Sequence, residues 1–349
     1  MKEKKTIFAV SDIHGCASAL KRALDEAGFD PNSSAHLLVV LGDLFDRGIE
    51  NRDVLAYLNG IKNKILIRGN HEDILMQPLT TGNVTDHQFV NGTHTTLCEF
   101  FPYYHGERML NILESRSRRT AEMLIDLIES MRDYFETDNY ILVHGWITDD
   151  AGENDFHYAS RAKWQGARWI RWHKRYPHFE IPDGKTIVIG HTPAYYASMF
   201  DHTRSDYDCS IFYGNGLIAI DGKCSSTGKV NVLVFEDFVR IPESHTLPAT
   251  TDEISALARG KARVFITPFT DSAANIRVGD KIRFCDTGGG LSPEFVINRL
   301  HLYADAFDLA DEISPEEIGI INDGPELVRH HLDARYPDNA HPLLAIVLS

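Results

Sequence analysis

Five short apolar runs recur along the chain, and each stops at a polar cluster built from the same few residue types. Thr6 to Val10 runs into Ser11-Asp12-Ile13-His14-Gly15, and Leu37 to Leu41 into Gly42-Asp43-Leu44-Phe45-Asp46-Arg47-Gly48. Lys64 to Ile67 runs into Arg68-Gly69-Asn70-His71-Glu72, Tyr140 to Val143 into His144-Gly145, and Thr186 to Ile189 into Gly190-His191. Apolar runs of this length bounded by turn residues read as buried strands. Between them, from about residue 6 to 75, Ala17 to Ala27 and Asp53 to Leu58 have helical spacing, with Gly28 and Gly60 as stops. Strand and helix in alternation predict an α/β layered domain, with functional groups beyond the carboxyl ends of the strands.

From about 76 to 138 the strand pattern gives way to a helical insertion. Met123, Leu124, Leu127, Ile128, Met131 and Phe135 recur at helical spacing and read as a stripe that covers core. Phe89 to Tyr104, rich in His and aromatics, reads equally as one wall of a cleft or as a surface loop. Leu217 to Ile220 and Val230 to Phe235 fit a β-hairpin or two adjacent strands. Arg240 to Pro248 carries two prolines and reads as a linker, set at residues 241–250. A catalytic domain over 1–240 and an accessory domain over 251–349 follow. The accessory domain has strand signals at Ala262 to Ile266, Lys281 to Phe284, Phe295 to Ala304 and Leu343 to Leu348.

The strand-end residues suggest chemistry. Asp12 and His14 alternate along a strand end, so both can turn toward one metal ion. Asp43 can bridge two ions, and Asn70, His144 and His191 can complete the second position, a donor set of hard oxygen and borderline nitrogen suited to a dinuclear hydrolytic centre. Gly15, Gly42, Gly69, Gly145 and Gly190 are expected to let the backbone turn after each strand.

In this order D-x-H-G, G-D-x-x-D-R-G, G-N-H-E, H-G and G-H resemble the signatures of the phosphoprotein phosphatase family of calcineurin-like metallophosphoesterases. Bacterial and phage Ser/Thr phosphatases and diadenosine tetraphosphatases belong to that family. The resemblance covers about residues 6 to 236, with Ser11 where most members have Gly. It implies an α/β/β/α sandwich with two divalent ions, Mn foremost and Fe or Zn as alternatives. Asp12, His14 and Asp43 would hold the first ion; Asp43, Asn70, His144 and His191 would hold the second. A water or hydroxide between the ions would attack phosphorus in line. His71 would protonate the leaving oxygen, oriented by Asp46, and Arg47 would grip the phosphoryl oxygens. A second phosphate-binding arginine is expected between the last two His motifs, with Arg168 preferred and Arg171 as the alternative. The substrate is expected to be a phosphoprotein, the alternative being a nucleotide or RNA end; a non-catalytic metal-bound module is a third reading.

Other residues carry less. Glu72 reads as a helix cap, and Arg68 as a contact either to substrate or to a neighbouring carboxylate. Trp164, Trp169 and Trp172 read as packing indoles before a stacking platform, and Cys16 as a packed thiol. Residues 251–349 faintly resemble small ASCH or PUA-like β-barrels, which suggests RNA as a partner through Lys261, Arg263, Arg277, Lys281 and Arg283. Against that, the segment has 16 acidic and 9 basic residues.

Charge and cysteine usage set the wider bounds. The 349 residues have a formal net charge of -15, so any basic binding face must be local. Five cysteines without a C-x-x-C pair argue against a disulfide framework and for a reducing compartment. With no signal-peptide core and no long apolar stretch, a cytoplasmic location without membrane partner is expected.

Overall fold

A computed structural model describes residues 1–148, 156–179, 184–270, 273–320, 325–336 and 342–349. The chain divides into two compact units, one of Met1–Ile147 with Gln165–Arg240, the other of Thr148–Trp164 with Ile241–Ser349.

The first unit contains two sheets. One has β1 (Lys2–Val10), β2 (His36–Val40) and β3 (Lys64–Leu66) in parallel, with β9 (Leu233–Arg240) antiparallel on β1, in the order β3-β2-β1-β9. The other contains β4 (Tyr134–Glu136), β5 (Tyr140–Val143), β6 (Thr186–Ile189), β7 (Phe212–Gly214) and β8 (Leu217–Ala219), in the order β4-β5-β6-β8-β7. Strands buried on both faces read as unbroken apolar runs, and the structure shows why. Ile7, Ala9, Leu37 and Val39 point to a core shared with Leu142, Val188 and Ile218 of the second sheet. Their neighbours Phe8, Val10, Leu38 and Val40 point the other way. There they pack under Leu20 and Leu24 of α1 (Ala17–Glu26) and Val54 and Leu58 of α2 (Asn51–Asn59). This is the mixed α/β sandwich that the strand and helix signals predict.

Four helices fill the insertion: α3 (Asn70–Thr81), α4 (Asp86–Asn91), α5 (Thr93–Phe100) and α6 (Ser115–Ser130). Three details of the sequence reading change here. The helical stripe stops earlier, because α6 ends at Ser130 and Phe135 lies in β4, where it joins the core between the sheets. Phe89 to Tyr104 is largely helical: a capping box of Thr85 and Gln88 opens α4, and Gly92, at φ +83°, both ends α4 and starts α5. Leu217 to Ile220 and Val230 to Phe235 also separate, since β8 and β9 belong to different sheets.

In the second unit a five-stranded sheet runs β10 (Ser244–Pro248), β12 (Lys281–Cys285), β13 (Phe295–Tyr303), β14 (Leu343–Leu348), β11 (Val264–Pro268). Residues 244–248, read as linker, are therefore a strand, parallel to β12. Its Pro248 lies at the strand's end, where a missing N–H costs least. The unit also takes in residues upstream of β6. Tyr158, Ala159 and Trp164 are buried, and His301 on β13 donates from Nδ1 to the Ala159 carbonyl at 2.8 Å. Among the described residues, no helix is long and apolar enough to cross a membrane.

Candidate dinuclear metal site

The five strand ends converge. Asp12, His14, Asp43, Asn70, His71 and His144 are each at most 2 % exposed, and Asp46 is fully buried. His14 donates from Nδ1 to the Phe45 carbonyl at 2.9 Å, and His144 from Nδ1 to the Leu41 carbonyl at 2.6 Å. Those bonds assign the tautomer and turn both Nε2 lone pairs inward. His14 Nε2 lies 3.5 Å from Asp43 Oδ2 and 3.9 Å from Asp12 Oδ1. His144 Nε2 lies 3.4 Å from Asp43 Oδ1 and 2.9 Å from Asn70 Oδ1. Asp43 thus stands between two groups, His14 with His71 and His144 with His191, each close enough to share one ion.

The electrostatics favour cations here. Burial, then the charges of Asp12 and Glu72, push the Asp43 carboxyl well above the usual range. Burial, then His71 and Arg47, hold His14 well below its usual value; burial, then His144 and Arg171, push His191 down to about 2. Neutral imidazoles present lone pairs, and a His144 nitrogen facing an Asn70 oxygen is a pair of acceptors with no proton between them. Crowded carboxylates, inward lone pairs and acceptor pairs fit two divalent ions.

Backbone strain marks the same residues. Among the described residues the non-glycine positions with positive φ are Asp12, His14, Asp43, Asp46, Arg47, His191 and Lys223. Such conformations persist only where the surroundings enforce them, and they gather at functional sites. The glycines have two different jobs. Gly15 and Gly42 have positive φ and do turn the chain. Gly69 and Gly190 do not: they are needed for close approach. A Cβ on Gly69 would collide with Asp43 Oδ1 and lie 2.6 Å from its N, and one on Gly190 would collide with Ser11 Oγ and lie 2.5 Å from Asp12 Oδ2.

His71 and Asp46 form a dyad, with His71 Nδ1 donating to Asp46 Oδ2 at 2.8 Å. Thr96 and Thr93 donate to the same carboxylate at 2.7 and 2.8 Å. Burial pushes the Asp46 carboxyl up to about 7, against those hydroxyls and Arg47. Burial and Arg47 hold His71 well below its usual value. Burial works against charge on both. Arg47 donates from its two terminal nitrogens to His14 Nε2 and His71 Nε2, each at 2.8 Å.

Sequence reading missed several supports. Glu72 does cap the start of α3 by accepting from the Gly69 N–H at 2.8 Å, but it also accepts from the Asp43 and Leu44 N–H groups, each at 2.9 Å, tying the second junction to the third. The spacing of Glu72 signals the cap; the ties across the fold have no local signal. Ser11 donates to Asp12 Oδ2. Thr93 and Thr96 lie in the segment read as loop or wall, and only the fold brings them to Asp46.

The two candidate arginines part company. Arg168 is 4 % exposed and committed to ion pairs with Asp73 at 2.8 Å and Asp133 at 3.0 Å, so its guanidinium serves the core. Arg171 is exposed and lines a cleft of about 390 Å³ above the strand ends, with Arg47, Lys223, Trp169, Tyr195 and Tyr196. Arg68 pairs with Asp73 and Glu129. Of the indoles, Trp172 is fully buried and donates to the Thr192 carbonyl at 3.0 Å, whereas Trp169 is 42 % exposed at the cleft. In the second unit, Lys281 and Arg283 both pair with Glu294, and Arg277 donates to the Tyr158 hydroxyl and two carbonyls. Those three serve their own unit's groups.

Comparison with known proteins agrees with this geometry. Residues 5–221 match the family described as calcineurin-like phosphoesterase. Among similar proteins, serine/threonine-protein phosphatase 1 of Salmonella typhimurium is 38 % identical over 84 residues, which is 24 % of this chain and 38 % of that protein. A symmetrical bis(5'-nucleosyl)-tetraphosphatase of Thioalkalivibrio sulfidiphilus is 38 % identical over 68 residues, 19 % of this chain and 24 % of that one. Serine/threonine-protein phosphatase 2 of Salmonella typhimurium is 27 % identical over 171 residues, 47 % of this chain and 67 % of that one. The chain therefore spans well under half the length of the first two relatives and two-thirds of the third. With a family match over most of the first unit and the site geometry at its strand ends, the chain belongs to the calcineurin-like phosphoesterase family.

Proposed function

We propose that the chain hydrolyses phosphate monoesters with the help of two divalent ions, and that phosphorylated Ser and Thr side chains of proteins are its first substrate class. The observation that supports this most is the convergence of Asp12, His14, Asp43, Asn70, His144 and His191 from five strand ends around one carboxylate. In this reading Asp12, His14 and Asp43 hold one ion, and Asp43, Asn70, His144 and His191 the other, with Mn the first choice and Fe or Zn accepted by the same donors. When bound, the ions make a water acidic enough to act as a nucleophile and neutralise charge on the phosphoryl oxygens.

The chain's own residues do the rest. Arg47 leaves its histidine contacts to hold two phosphoryl oxygens with parallel hydrogen bonds, and Arg171 supplies the second clamp in place of Arg168. Once Arg47 has left it, His71 Nε2 takes up a proton from water and passes it to the leaving oxygen, while Nδ1 stays on Asp46, whose carboxylate, fixed by Thr93 and Thr96, orients the ring. The phosphoprotein class rests on the two Salmonella relatives named as protein phosphatases. A nucleotide substrate is favoured by one feature of the cleft: Trp169, Tyr195 and Tyr196 line it and offer flat apolar faces to a base. Turnover of p-nitrophenyl phosphate, a phosphothreonine peptide and diadenosine tetraphosphate with Mn²⁺ tests the reading. Hydrolysis of the first two is expected, and no turnover of any by metal-loaded protein would sink it.

A further inference from the structure

Among the described residues, Lys223 is the one strained non-glycine residue that the five strand-end junctions do not account for. It sits at φ +55°, ψ +47°, and its N–H is held by Asp221 Oδ1 at 2.7 Å. That bond fixes an unfavourable backbone for a residue with a side chain, which is worth holding only if the side chain is needed there. The side chain is exposed on the cleft, with its ammonium 5.5 Å from the centre of the Tyr195 ring. Ser225 and Ser226 follow it along the same wall.

The charge balance of the cleft is unusual for this chain. Acidic residues outnumber basic ones by 50 to 35, yet Arg47, Arg171 and Lys223 line one cleft and, among the described residues, none makes an ion pair with a carboxylate. Asp221, the carboxyl nearest Lys223 in sequence, is buried and holds the Lys223 N–H rather than its ammonium. With two divalent ions bound, Arg47 and Arg171 would bring the positive charge above what one phosphoryl dianion carries. A third cation beyond them, beside hydroxyls and aromatic rings, is placed for a second anion on the same molecule.

We propose that Lys223 is a specificity-determining residue that binds a second phosphate, joined to the scissile one through a phosphoanhydride, and so favours polyphosphate-bearing small molecules over simple monoesters. This rests on the metal-dependent phosphoesterase reading of the same site and extends its nucleotide branch. Tyr195 lies beside the ammonium, and Ser225 and Ser226 line the same cleft, which limits where that phosphate sits.

The test uses the full chain with Mn²⁺ at fixed free concentration and p-nitrophenyl phosphate as reporter. Inhibition constants are compared for AMP and for α,β-methylene-ADP, which differ by one non-hydrolysable phosphate. The wild-type protein is expected to bind the diphosphate about tenfold more tightly, the worth of one charge-assisted contact. Lys223→Gln is expected to bring the two constants together, and Lys223→Arg to restore most of the gap. A wild-type protein with no preference for the diphosphate overturns the proposal without any variant. So does a Lys223→Gln protein in which the preference survives, or in which both constants rise by the same factor. A peptide with an acidic side chain beside its phosphothreonine that is discriminated by Lys223 while α,β-methylene-ADP is not would reassign the residue to protein substrates and overturn it too. Absence of any p-nitrophenyl phosphate turnover is a different failure, that of the phosphoesterase reading itself.

Discussion

Single residues at the strand ends hold conformations that cost stability and positions that serve chemistry. Asp43 is the sharpest case. Its folded carboxyl titrates well above the unfolded one, through burial and then Asp12 and Glu72, so its charge destabilises the metal-free fold at neutral pH and stops doing so as pH falls. Asp43→Asn is therefore expected to raise the thermal midpoint of the chelated protein by about 2 °C or more while abolishing metal-dependent turnover. A lower midpoint would mean that the carboxylate has compensating partners. His71→Asn tests the proton donor. Turnover of poor leaving groups is expected to fall about 10²–10⁴-fold, with a smaller loss on p-nitrophenyl phosphate; equal losses on both would remove His71 from that role. The two arginines should separate by measurement as they do in space. Arg171→Ala is expected to raise KM, with unfolding midpoint in urea unchanged. Arg168→Ala, which takes one ion-pair partner from Asp133 and one from Asp73 while Arg68 stays on Asp73, is expected to cost about 1–3 kcal/mol of stability.

At the scale of elements, what joins α3, α6 and the strand ends is the buried cluster of Arg68, Asp73, Glu129, Asp133 and Arg168. Burial raises the Asp73 carboxyl, but Arg168 and Arg68 outweigh it and hold it below the unfolded value of 3.8. A depressed carboxyl gives stability that is fully present above the unfolded value and is lost as pH falls through the folded one. The thermal midpoint of the wild-type protein is expected to drop as pH goes below about 4, and Arg168→Met should start lower and drop less. Parallel curves would exclude the cluster as the source. Element by element, the sequence was readable where one strand and its end carry the whole message. The five junctions are such cases, because apolar runs buried on both faces stand out and the residues after them are polar and few. The stop of α6 before Phe135 was not readable, since an aromatic in a strand between two sheets satisfies helical spacing by chance. Nor were Thr93 and Thr96, whose partner Asp46 lies far away in sequence. Nor were the ion pairs of Arg168, since a position between two motifs says nothing of Asp73 and Asp133 beside it.

For the whole molecule, the division into units differs from a cut at one linker. Tyr158, Ala159 and Trp164 belong to the unit that otherwise begins after Arg240. A chain ended at Arg240 keeps these residues without their core, and is expected to self-associate on size-exclusion chromatography and bind a hydrophobic dye. A well-behaved monomer would show that the segment folds back without its unit. The larger claim is that five strand ends of the first unit build one centre for two ions around Asp43. Electron paramagnetic resonance of the full chain titrated with Mn²⁺ tests it most directly, because two Mn²⁺ ions sharing a carboxylate couple their spins. A bridged pair predicts two ions per chain with the multiline spectrum of a coupled pair, lost in Asp43→Asn. One ion per chain, or two that give only the signal of isolated Mn²⁺, would contradict it.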